Sequence, residues 1–209
     1  MYLTNISNKN NKVMIFITIS YISLGSTINF ANAENFTIND GEVTKLEDNI
    51  SSTLKYTNPI NQDGSDGAMG VAIISNNGTG AVLASTTHGG IFDSSSQKNA
   101  SDPVWHNHFA KLMAGNSTGN KCGGDLMVEE LTFESPGNLT IINDTMEHSQ
   151  LPTNFNATSS FSNNSLNFVL GENIDKVVTF KLEPKSNPYG DIEAVCVTNI
   201  QPAKNISIP

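Results

Sequence analysis

The chain has 209 residues, with twenty acidic side chains against eleven lysines, no arginine, and a formal net charge of −9 at pH 7. A nucleic-acid binder needs a basic footprint and commonly bidentate arginine contacts, so that class is excluded; adhesion to anionic lipid is disfavoured on the same ground. The length suits one domain with a core of its own.

The first thirty-three residues carry the three parts of a cleavable signal peptide. Lys9 and Lys12 form a positive start, Val13 to Leu24 is a short apolar run, and Ala31-Asn32-Ala33 fits the small-x-small cleavage rule. As a helix the apolar run rises only about 18 Å, short of the roughly 30 Å of a bilayer core. The mature chain is therefore expected to begin at Glu34, to lack a transmembrane span, and to work as a secreted protein or on the exterior of the cell envelope. All twenty acidic residues lie after Ala33, and two of the lysines before it, so export makes the chain more acidic still.

Residues 34–66 are polar, with modest alternation over Asn49 to Tyr56, and read as a leader strand and linker preceding a folded domain over 67–209. From Gly67 the pattern changes. Gly70 to Ser75 and Gly80 to His88 are apolar, β-branched runs separated by Asn76-Asn77-Gly78-Thr79, a strong hairpin signal. Further strands are expected over Leu126 to Glu134, Asn138 to Asn143, Ser165 to Leu170, Lys176 to Pro184 and Ile192 to Gln201. Leu151 to Asn164 is rich in Asn and Ser and reads as a long loop. Short strands with frequent turns predict an all-β domain, a single antiparallel β-sandwich.

Asp102 to Gly115 (DPVWHNHFAKLMAG) fits two periods. As a helix, Asp102 caps, Pro103 starts, and Trp105, Phe109, Leu112 and Met113 share a face. As a strand, His106 and His108 project from one face about 7 Å apart. The β signals on both sides favour the strand.

That choice decides the chemistry. On a strand, His106 and His108 are placed to hold one ion, with His88 as a third imidazole from a neighbouring strand, and His148 and Glu147 in reserve. Three histidines suit copper or zinc. On a helix the two would stand about 200° apart and share nothing.

Other patterns carry less. Gly115 to Gly119 matches G-x-S-x-G but lies in a Gly/Asn loop rather than between a strand and a helix. Asn61 to Gly67 is oxygen-rich, but its glycines miss the sixth position of a calcium loop and no closing Glu follows. No HExxH, P-loop, dinucleotide fingerprint or CxxC is present, so no catalytic residue is assigned.

Cys122 and Cys196 form an even pair, expected as a disulfide in an oxidising compartment; thiolate metal ligation is the alternative. In the mature chain Asn-x-Ser/Thr sequons stand at Asn35, Asn49, Asn77, Asn99, Asn116, Asn138, Asn143, Asn156, Asn163 and Asn205, ten where its composition alone gives about four. Glycan acceptors sit on the surface of exported proteins.

The cadence of THGGIFDSSSQKNASDPVWHNHFAKLM, CGGDLMVEEL and IEAVCVTNI resembles small secreted proteins of archaea, particularly of the ammonia-oxidising group. The resemblance covers most of the chain after about Gly67, implies an exported domain, and transfers no catalytic role. The function expected from the sequence is thus a non-catalytic, glycosylated, copper- or zinc-binding exported domain. The alternatives are a metal-free structural or recognition glycoprotein, with envelope, protein or glycan partners, and, more remotely, a zinc lyase or hydrolase.

Overall fold

A computed structural model describes residues 36–209 and is all-β, with thirteen strands and, among those residues, no α-helix. The signal-peptide segment 1–33 and the sequon at Asn35 lie outside the described residues.

Six strands close into a barrel in the order β11 (Ile174–Ser186), β12 (Ile192–Pro202), β6 (Leu126–Leu131), β5 (His106–Met113), β4 (Val82–Thr87) and β3 (Met69–Ser75). The thirteen-residue β11 pairs with both β12 and β3 and so completes the ring. A second sheet runs β13 (Ile206–Ser207), β1 (Ile38–Leu46), β2 (Asn49–Tyr56), β8 (Thr145–Pro152), β7 (Asn138–Ile142), and β9 (Asn154–Thr158) pairs with β10 (Ser165–Val169). All strand pairings are antiparallel except β1 with β13.

The sandwich expected from the sequence therefore takes a different form: two layers face one another, but one of them is the wall of a closed barrel. Burial patterns show why. On β2 buried and exposed residues alternate strictly, the mark of a strand covered on one face. On β4 all six residues are buried, because Leu83 and Ser85 point to the covering sheet while Val82, Ala84 and Thr86 point into the barrel.

Ile38, Val43, Ile50 and Leu54 of the sheet pack with Val71, Ile73, Leu83 and Phe109 on the outer barrel wall, each at most 2% exposed. Segment 34–66, expected to be a leader and linker, thus supplies five of the nineteen buried residues of the main core through β1 and β2. Residues 151–164, expected to be a loop, contain the end of β8 and all of β9.

Gly70 has no room for a side chain. It faces Phe180 across β3–β11, and a Cβ there would lie 2.6 Å from both the Phe180 ring and the Ser85 carbonyl. Cys122 and Cys196 form a disulfide across 74 residues. It lies at the β6–β12 seam, where only two residue pairs, Cys196 with Met127 and Val197 with Leu126, join the strands.

Candidate metal centre

Residues 106–113 are a strand, and the pleat turns His106 and His108 to the same, inward side. Their ring centroids are 4.7 Å apart. His88 follows β4 immediately, and its ring lies 5.1 Å from that of His106. The fourth member is Asp93, which sequence reasoning missed. Ligand atoms of His88, Asp93, His106 and His108 all lie within 4.8 Å of one another, and all four residues are buried.

Asp93 is the hub. Its Oδ2 stands 3.2 Å from His88 Nε2, and its Oδ1 stands 3.4 Å from His106 Nε2 and 3.8 Å from His108 Nε2. The edge of a tetrahedron with bonds near 2.05 Å is about 3.3 Å, so these separations suit one zinc-sized ion after small adjustments.

Gln97 places Asp93. Its Oε1 accepts from the backbone N–H groups of Asp93 and Ser94, and its Nε2 donates to the carbonyls of Ile91 and Asp102. The Ser160 hydroxyl donates to the Asp93 carbonyl at 2.6 Å. One buried amide thereby folds the 88–105 loop over the barrel end.

The imidazoles are oriented from behind. His106 Nδ1 lies 2.7 Å from the Val104 carbonyl and His108 Nδ1 lies 2.7 Å from the Thr132 carbonyl. A carbonyl only accepts, so Nδ1 carries the proton in both rings. Ligating histidines are oriented by the same kind of bond. Burial first, then the neighbouring His106, pushes the His108 pKa down to about 3, so its ring is neutral and its Nε2 presents a bare lone pair.

Burial alone would raise the Asp93 pKa, but contacts from His106 and His88 outweigh it and hold the carboxyl below its usual range. Among the described residues, three buried side-chain nitrogen or oxygen atoms have no hydrogen-bond partner: His88 Nδ1, Asp93 Oδ1 and His108 Nε2. All belong to this cluster. Buried polar atoms are ordinarily paired, and lone pairs facing each other repel unless a proton or cation lies between them.

His148 and Glu147, named as reserve ligands, are not part of the centre. Glu147 is exposed on β8. His148 is buried on the opposite side of the β4–β5 wall, between Ser52 Oγ and Ser85 Oγ, each 2.7 Å from a ring nitrogen. The Ser85 hydroxyl donates to Asn107 Oδ1, so His148 Nε2 donates to Ser85 and Nδ1 accepts from Ser52. Asn107 Nδ2 in turn donates to the Pro136 carbonyl. This satisfied relay fixes the sheet against the barrel.

The oxygen-rich Asn61–Gly67 loop spends its side chains on its own backbone: Asn61 Oδ1 accepts from Asp63 N and Asp63 Oδ1 from Ser65 N.

No protein-family model, curated protein or solved structure matches the chain.

Proposed function

We propose that this is an exported β-barrel domain that holds one divalent transition-metal ion, zinc or copper, through His88, Asp93, His106 and His108. The observation that carries the reading is the set of unpartnered lone pairs: His108 Nε2 and Asp93 Oδ1 are buried, face each other at 3.8 Å, and have no hydrogen bond. Three imidazoles and one carboxylate are a donor set that zinc and copper accept readily. The carboxylate also lowers the charge of a bound dication in a site that water scarcely reaches.

Export is supported by the N-terminal sequence pattern and by the disulfide. Glycosylation is supported by the nine described sequon asparagines, Asn49, Asn77, Asn99, Asn116, Asn138, Asn143, Asn156, Asn163 and Asn205, all of which are exposed. Both fit the secreted archaeal proteins that the sequence resembles. The test is elemental analysis of the mature chain, purified without a chelating column and loaded with zinc or copper. One ion per chain, lost in the His106→Ala, His108→Ala variant, supports the reading. No bound ion leaves a metal-free surface glycoprotein as the account.

A further inference from the structure

The inside of the barrel is less filled than its outside. Val71, Ile73, Leu83 and Phe109 on the outer wall are at most 2% exposed, whereas the inward-facing Ile74, Leu112, Leu126, Val128 and Leu182 are only partly buried. The cause lies in three small residues on neighbouring strands: Ala72 on β3 is paired with Ala84 on β4, and Ala110 on β5 is paired with Val82. Side chains ordinarily fill the interior of a small barrel. Here they leave a cavity of about 130 Å³.

That cavity is chemically one-sided. Its polar lining side chains are Thr86, His88, Asp93 and His108, gathered at the metal-binding end; every other lining residue is apolar. Phe161 and Ile200, which are 52% and 44% exposed, also line it. His108 belongs to the cluster and also lines the hollow, and it is the strand partner of Ala84.

We infer that the barrel is a receptor for a small amphiphilic monoanion, a monocarboxylate whose hydrocarbon body fills the cavity while its head lies against the positively charged centre. The inference rests on the metal reading above. Charge selects the head: a dication with the Asp93 carboxylate and neutral imidazoles is a net single positive charge in an apolar enclosure, and one anion neutralises it. Volume selects the body: an apolar cavity of about 150 Å³ accepts benzene, so this one takes about six carbon atoms. Apolar walls supply affinity and no further polar recognition, so an aliphatic or an aromatic body both fit.

The experiment is titration calorimetry of the zinc-loaded chain with hexanoate and benzoate, beside acetate, which lacks the body, and hexanol, which lacks the charge. The expected result is one-to-one binding of hexanoate or benzoate at least tenfold tighter than either control. Ala84→Leu, with Ala72→Val as a milder filling variant, should keep one zinc per chain and lose most of that preference. Retained zinc reports that each variant's centre is folded. A zinc-loaded chain that binds hexanoate no better than acetate overturns the receptor and leaves the metal centre standing. A chain that takes up no zinc overturns both, and benzene uptake by that metal-free chain would then show the cavity to be an apolar pocket without selection for an anion.

Discussion

Asp93 and His88 are five positions apart in sequence, yet the loop between them doubles back so that Asp93 Oδ2 lies 3.2 Å from His88 Nε2. The same carboxylate reaches two histidines on β5 that the chain delivers only after a further excursion. Burial opposes that charge and the contacts with His106 and His88 outweigh it; a cation among the four groups would also satisfy the atoms left without partners.

Asp93→Asn separates the two roles of that carboxylate. It should lower zinc affinity by more than tenfold and also lower the stability of the metal-free chain, because the contacts with His106 and His88 that hold the carboxyl below its usual range are lost. Competition with a chelating dye and thermal unfolding in excess chelator measure the two effects. A variant with unchanged zinc affinity would remove Asp93 from the ligand set.

Gln97 touches none of the ligand atoms yet makes four hydrogen bonds that shape the loop bearing Asp93. Gln97→Ala should weaken metal binding by about 10–100-fold, as removal of outer-shell support does. It leaves two buried N–H groups unpaired, costing about 1–3 kcal/mol each at most. Denaturant titration with and without zinc checks both numbers, and a loss of stability without a loss of affinity would make Gln97 purely structural.

His148 gives the metal-free fold an acid sensitivity. Burial lowers its pKa from 6.5 to about 4, so the folded state binds the proton less readily than the unfolded chain. Its contribution is fully present above pH 6.5 and is lost as the pH falls from there to about 4. That window corresponds to about 3 kcal/mol. Urea unfolding of the chain and of His148→Gln at pH 7 and pH 4 should show their stability difference shrinking by about that amount. A constant difference would contradict the assignment.

The Cys122–Cys196 bridge closes the barrel where β6 and β12 share only two residue pairs. Replacing both cysteines by serine should cost about 4 kcal/mol for a loop of this length on the chain-entropy account. Urea midpoints of the oxidised chain and of the double variant compare directly, and a loss below about 1 kcal/mol would show that the seam holds without its staple.

Much of this architecture is legible in the sequence because it follows from local pattern. The β-branched runs at 70–75 and 80–88 contain strands, and the neighbouring strand signals correctly weigh against a helix at 106–113, which aligns His106 with His108. The closed barrel is less legible, since closure depends on β11 reaching β3 and β12 reaching β6, long-range pairings without a local mark. β8 hides because its alternation of Met146 and His148 breaks before Leu151, at Gln150, whose φ is +56°. β9 hides because it is Asn-rich and pairs only with β10. Asp93 could not be found by spacing at all. It sits in a Gly- and Ser-rich loop, and the hydrogen bonds of Gln97 and Ser160 hold it inward.

X-ray absorption at the zinc edge of the zinc-loaded chain tests the metal centre most directly. The account predicts a first shell of three imidazole nitrogens and one carboxylate oxygen at about 2.0–2.2 Å, with the multiple scattering of histidine rings. A shell of six oxygens without ring scattering, the signature of zinc held loosely on the acidic surface, would contradict it.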